Sequence, residues 1–280
     1  MEKELYDVLN WGMMEALEYS ECDDPHSWLG PHKTKNGILY NAFFPTAKSV
    51  SVKFKTGTLP MEATDESGNY SLLVHDKKIK DYKLVVTYDN DIVSEIYDPY
   101  VFAPQFNSED EDRFIRGIHY EVYEKLGAHV MEINGIKGVY FAVWAPDAER
   151  VSVVGDFNMW DGRRHPMRKL RASGVFELFI PGLKKGEVYK FEIKAKNGLA
   201  FLKSDPYGNA FEMRPNTAAI ITDLAFDWSD STWIEKRKNQ NIDKIPMSIY
   251  EVHLGSWLKR ATETVIFTIT GRSQSSWQDM

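Results

Sequence analysis

Cysteine is nearly missing from this sequence: Cys22 stands alone among 280 residues. That excludes a disulfide framework within the chain, and with it a zinc site of the paired-cysteine kind. Cys22 reads as a buried or idle thiol. Long apolar runs are missing too, since no stretch approaches the roughly twenty residues that cross a bilayer as a helix. The amino terminus mixes acidic with apolar residues and lacks the basic start of a signal peptide. Positive charge is in deficit, with 34 Lys and Arg against 41 Asp and Glu and a net charge of -7. Composition therefore gives no electrostatic reason to expect nucleic acid or an anionic membrane as partner. What is present, 43% hydrophobic and 27% charged residues, predicts a soluble, cytoplasmic protein of about two domains.

Leu5, Val8, Leu9, Met13, Ala16 and Leu17 recur at helical spacing and predict a short amphipathic helix before Pro25. Beyond it the text changes to short alternating runs rich in Val, Tyr, Phe and Trp, punctuated by Gly, Pro, Asn and Asp, the pattern of an antiparallel β sandwich. The pattern occurs twice. "LGPH" from Leu29 returns as "LGAH" from Leu126, and "GILYNAFFPTAKSVSV" from Gly37 as "GVYFAVWAPDAERVSV" from Gly138. "ESGNY", ending at Tyr70, returns as "ASGVF", ending at Phe176; "YK" at Tyr82 returns at Tyr189, and "DPY" at Asp98 returns at Asp205. Offsets of about one hundred residues match one immunoglobulin-like domain, so two related sandwiches in tandem are expected. Between them "NSEDEDRFIRG", residues 107–117, reads as a solvated, charged linker.

Chemistry is best sought in "VVGDFNMWDGRRHPMRK", residues 153–169, where a strand runs into a polar loop holding Trp160, Asp161, Arg163, Arg164 and His165. The flat apolar face of a sugar can lie on an indole while polar neighbours bond its hydroxyls. Spacing alone leaves equally open that Trp160 caps the sandwich core. Arg163 and Arg164 could form an anion site, although a solvated loop or an interdomain contact is the plainer reading. His165 precedes a proline, has no acid or nucleophile beside it, and is not read as catalytic.

This stretch, followed by "ELFIPG", "YKFEI", "KSDPY", "MRPNTAAI" and "SIYEVHLGSW", resembles the amino-terminal part of the bacterial glycogen branching enzymes, the 1,4-α-glucan branching enzymes of the α-amylase superfamily. The resemblance covers roughly residues 25–260. Beside the helical segment over 1–24 and the charged linker 107–117 read above, it implies a first sandwich over 25–106 and a second of the starch-binding family forty-eight type over 118–225. Residues 226–260 would open a (β/α)8 catalytic barrel with "IYEVHLGSW" as its first strand. The implied partner is an α-glucan, with Trp160 stacking on glucose units, Lys190 of "YKF" reaching hydroxyls, and Asn158 helping to shape the loop. Leu199 and Phe201 stand where a second tryptophan would be welcome, so weak binding is expected. No cofactor, metal, nucleic acid or membrane is implied, and a monomer is expected.

The family reaction cleaves an α-1,4-glucan and transfers the segment to a 6-hydroxyl through a glycosyl-enzyme intermediate. That requires two carboxyl groups about 5 Å apart, supplied by later barrel strands whose motifs do not occur here. A barrel takes about 250 residues, so no carboxylate of this chain is assigned a catalytic role. Residues 261–280, "ATETVIFTITGRSQSSWQDM", depart from the family pattern, and one permitted choice of codons read in a shifted frame restores a polar turn, an aromatic pair and an amphipathic helix. They are expected to be a frameshifted tail. A freestanding glucan-binding or scaffold protein is the alternative reading. A debranching or trehalose-forming relative is a weaker one, disfavoured by the "DGRRHPM" loop.

Overall fold

The computed structural model of the chain describes residues 3–88 and 91–253. Residues 3–225 of these belong to one compact unit and residues 226–253 to another. Most of the regular structure is antiparallel strand, as the alternating sequence predicts.

The amino-terminal periodicity forms helix in two pieces, α1 (Lys3–Tyr6) and α2 (Trp11–Glu18). Asn10 divides them, because its side chain accepts from the Met13 amide at 3.3 Å and so starts a helix better than it continues one. Leu5, Met14 and Leu17 are buried with Cys22, Trp28 and Leu29. The thiol is correspondingly inert, since burial pushes Cys22 up to about 11.

The strands of the first sandwich are β1 (Gly30–Thr34), β2 (Gly37–Phe43), β3 (Ala47–Phe54), β4 (Gly57–Pro60), β5 (Glu62–Ala63), β6 (Asn69–Val74), β7 (Tyr82–Tyr88) and β8 (Val93–Ile96). One sheet runs β1-β2-β6-β5 and the other β4-β3-β7-β8. Ile38, Tyr40 and Ala42 of β2 meet Val50 and Val52 of β3 and Leu84 and Val86 of β7 in the core. The alternate residues of β2 are buried too: Leu39 and Phe43 pack against the amino-terminal helices, and Asn41 donates to the Trp28 carbonyl at 3.0 Å.

The second sandwich repeats the plan with β9 (Gly127–Ile133), β10 (Ile136–Trp144), β11 (Ala148–Gly155), β12 (Arg168–Leu170), β13 (Val175–Pro181), β14 (Val188–Ala195), β15 (Ala200–Lys203) and β16 (Ala219–Ile220). One sheet runs β12-β13-β10-β9; the other runs β11-β14-β15, with β16 also paired to β14. Its core joins Val139, Phe141, Val151, Val153, Phe176 and Phe191, each worth about 1.5–3 kcal/mol when removed from water. The repetition extends to single contacts. The register shifts between Ala47 and Ser49 and again between Ala148 and Arg150. The Nε2 atoms of His32 and His129 each lie 3.0 Å from the carbonyl three residues back. Gly68 and Gly174 both have positive φ and press on Pro45 and Pro146, where a Cβ would come within 2.5 Å and 2.7 Å.

The segment expected as a solvated linker is partly a helix, α3 (Ser108–Ile115). Asn107 and Asp110 cap it reciprocally, a pairing the dense charge obscured. Its charge is also not all solvated: Asp110 is buried between Lys125 at 2.8 Å and His119 at 3.1 Å. Glu177 of β13 fastens the preceding residues. Although 1% exposed, its carboxylate accepts from the amides of Gln105 and Phe106, from the Tyr140 hydroxyl at 2.9 Å and from Arg168 at 2.7 Å.

In the second unit, α4 (Ser231–Lys238) is the regular helix. Residues 246–253, expected to begin a barrel strand, form no strand, and Met247, Ile249 and Tyr250 are exposed. A parallel strand takes its hydrogen bonds from neighbours on both sides, and no strand among the described residues pairs with this one. Residues 254–260 and the expected frameshifted tail, 261–280, lie outside the described residues. No helix among the described residues is long and apolar enough to cross a membrane.

Candidate functional site

β11 ends at Gly155, where a Cβ would fall 2.3 Å from the Val188 carbonyl oxygen, and the chain turns away until Pro166 returns to bridge Ser152. Asn158 organises this loop from within. It is fully buried; its Oδ1 accepts from the Gly155 amide at 3.0 Å, and its amide nitrogen donates to the Val153 carbonyl at 2.9 Å and to His165 Nδ1 at 2.8 Å. Such an acceptor role requires a neutral imidazole. Loss of hydration, helped by the charge on Arg164, lowers His165 to about 3, so the ring is neutral near pH 7.

Held in this way, Met159 and Trp160 both adopt left-handed backbone, with φ of 58° and 59°. Each such residue without a glycine is disfavoured by about 1–2 kcal/mol, a strain that persists only where the surroundings over-determine it. The Trp160 amide donates to the Gly155 carbonyl at 2.9 Å, and its indole Nε1 to Asp156 Oδ1 at 2.7 Å. The half-buried indole is thus fixed in orientation. Behind the loop, the buried guanidinium of Arg150 bonds Glu192, Ser152 and the Gly162 carbonyl. Gly162 leaves the necessary room, since a Cβ there would meet Glu192.

Lys190 is carried by β14. Its neighbour Tyr189 is 1% exposed in the core, so alternation turns Lys190 to the outer face, where its Nζ donates to Thr217 Oγ1 at 2.7 Å. The register places Lys190 beside Val154 and Tyr189 beside Gly155. The loop that carries Trp160 thus leaves β11 at the strand end where Lys190 stands on the neighbouring β14, whereas Asn158 lies beneath and offers nothing to solvent. Leu199 and Phe201, where a second aromatic platform was sought, are 64% and 40% exposed.

The arginines of "DGRRHPMR" do not combine into an anion site. Arg163 forks onto its own neighbour Asp161, through Nε at 3.0 Å and Nη2 at 2.8 Å. Partial burial works against ionisation of Asp161, but these bonds hold its carboxyl below the ordinary range. Arg164 points elsewhere and donates to the Tyr88 hydroxyl of the first sandwich. Asp156, Arg150 and Glu192 were not singled out from sequence. A hydrogen bond from an indole to an acid four residues earlier, or a buried ion pair spanning 42 residues, leaves no local pattern to read. Among the described residues no three His, Cys, Asp or Glu gather as metal ligands. Asp156, Asp161 and Glu192 each already hold a partner, so what the site can do is stack and hydrogen-bond.

Residues 10–100 match the family described as alpha-1,4-glucan branching enzyme GlgB, N-terminal domain, and residues 125–208 match carbohydrate-binding module 48, the isoamylase N-terminal domain. The chain carries the amino-terminal domains of the 1,4-alpha-glucan branching enzymes. It is 44% identical over 273 residues to the 1,4-alpha-glucan branching enzyme GlgB of Thermosynechococcus vestitus, covering 95% of this chain and 35% of that one. To the GlgB of Cellvibrio japonicus it is 57% identical over 163 residues, 58% of this chain and 22% of that one. To that of Paramagnetospirillum magneticum it is 43% identical over 245 residues, 87% and 33%. The chain thus spans about a third of the length of these branching enzymes or less. The solved pullulanase of Anoxybacillus sp. LM18-11 complexed with maltotetraose covers 80% of the chain at 16% identity, with a TM-score of 0.31, a likeness too slight to argue from.

Proposed function

We propose that this chain is the glucan-binding, positioning portion of a glycogen branching enzyme, acting in the cytoplasm as a monomer, and that it holds an α-glucan on Trp160 and Lys190 of the second sandwich. The observation that carries the reading is the indole of Trp160, tied by Asp156 and presented on a strained turn at the end of the sheet that bears Lys190. Stacking of a pyranose on the ring supplies affinity and Lys190 supplies direction, by donating to hydroxyls in place of Thr217. Asn158 shapes the loop without touching sugar. The segment transfer that forms α-1,6 branches belongs to the part of the relatives this chain does not span. Among the described residues, the acids of this loop, Asp156 and Asp161, and Glu192 behind it each accept a hydrogen bond from a neighbouring side chain.

Affinity electrophoresis in glycogen tests this. Trp160→Ala should lose most of the retardation, a loss on the order of 1 kcal/mol, and Lys190→Ala a smaller part. Equal retardation of parent and Trp160→Ala would dismiss the site.

A further inference from the structure

The loop that presents Trp160 has a second side. Phe157, Arg164 and His165 turn inward and line a cleft of about 180 Å³, whose other wall includes Tyr88 and Asp98 of the first sandwich. Across it, Arg164 donates to the Tyr88 hydroxyl, and its guanidinium also lies over the Tyr88 ring, 5.3 Å from the centroid. Arg164 makes no ion pair among the described residues, so this tyrosine, through one hydrogen bond and its ring face, takes the place that a carboxylate would ordinarily hold.

Arg164 is bound closely to the turn it follows. Its amide donates to the Asp161 carbonyl at 3.2 Å, and the Asp161 amide to that of Asn158 at the same distance. Two successive left-handed residues, Met159 and Trp160, then depend on anchors at both ends of the loop. Asn158 and Arg150 supply those anchors from within the second sandwich; Tyr88 supplies one from the first.

We propose that Tyr88 is a positioning residue for glucan binding: through Arg164 it holds the Trp160 loop in its binding shape, so that the first sandwich sets the affinity of the second. This rests on the reading of Trp160 as the stacking surface. Tyr88 itself touches no sugar.

The test is a double-mutant cycle on the full chain, with dissociation constants for glycogen taken from affinity electrophoresis and melting temperatures followed alongside. Tyr88→Phe keeps the ring and removes only the hydroxyl, and Arg164→Lys keeps the charge without the planar fork. Tyr88→Phe and Arg164→Ala should each weaken binding about threefold to fivefold, the double variant no more than the stronger single one, and Arg164→Lys should recover part of the loss. A purely structural contact would lower the melting temperature and leave the dissociation constant alone. Unchanged affinity in both single variants, or losses that multiply in the double variant, would overturn the proposal while Trp160→Ala still fails to bind. If Trp160→Ala binds normally, the stacking site falls and this proposal with it.

Discussion

The Tyr189 hydroxyl donates to Asp205 Oδ2 at 2.6 Å. In the first sandwich, Tyr82 donates to Asp98 Oδ2 at 2.5 Å. In both, the other carboxylate oxygen accepts the amide two residues on, from Tyr207 at 2.8 Å and from Tyr100 at 2.9 Å. A strand tyrosine and a turn aspartate thus fasten β7 to the turn after β8 in the first sandwich and β14 to the turn after β15 in the second. Tyr189→Phe would leave a buried carboxylate with one donor fewer, and should lower stability by about 1–3 kcal/mol. The midpoint of urea unfolding, at unchanged slope, measures it.

Burial raises Asp98 to about 6, against an ordinary value near 4. The folded protein holds this proton more tightly than the unfolded chain, so the stability contribution is full below about pH 4 and is lost as pH rises through 6. Asp98→Asn removes that dependence. Relative to the parent, the variant should gain about 1.4 kcal/mol per pH unit between pH 4 and 6 and level off above. The slope of the difference is decisive, whatever constant offset the substitution adds.

His165 titrates in the opposite sense. With its folded value near 3, it contributes stability above about pH 6.5 that is lost as the pH falls and the unfolded chain alone takes up the proton. His165→Gln should therefore gain on the parent steadily below pH 6.5. A difference that stays flat from pH 7 to pH 4 would show that the ring is protonated in the folded state, and that Asn158 does not donate to it.

Met159 is 63% exposed, yet its φ is 58°. Little packing is lost on shortening it, and glycine adopts this backbone freely. Met159→Gly should stabilise the chain by about 0.5–1 kcal/mol, read as a higher denaturation midpoint. A lower midpoint would mean that the methionine side chain packs more than its exposure indicates.

Removing the buried carboxylate of Glu177 strips four donors at once, from Gln105, Phe106, Tyr140 and Arg168. Glu177→Ala should cost about 3–5 kcal/mol because it strands Arg168. Faster hydrogen exchange at the amides of Gln105 and Phe106 would locate the loss.

The sandwiches were legible because one set of words was written twice, and alternation fixes which side of a strand is buried. Asn158 was legible as a shaper of its loop, whose ends it bonds, while the sugar-binding roles of Trp160 and Lys190 are proposals drawn from their motif. The hydrogen bond of Trp160 to Asp156, the four bonds into Glu177 and the reach of Arg164 to Tyr88 were not legible. Each is a meeting decided by packing, between residues whose separation in sequence carries no signal. The helix within residues 107–117 was hidden for a related reason: charge density looks the same in an irregular linker and in a capped helix with one buried acid. Residues 249–253, the described part of the expected strand "IYEVHLGSW", show the converse, a sequence whose pattern suits a sheet but which pairs with no strand among the described residues.

Because β2 is buried on both faces, every substitution in it is judged twice over. Changes at Ile38, Tyr40 and Ala42 must suit the opposite sheet; changes at Leu39, Asn41 and Phe43 must suit the amino-terminal helices and the segment around Trp28. Neither set of neighbours can relax the demands of the other, since the two lie on opposite sides of one backbone. Over generations this strand should drift more slowly than β15, whose four residues are all exposed, and the first thirty residues should drift in step with it.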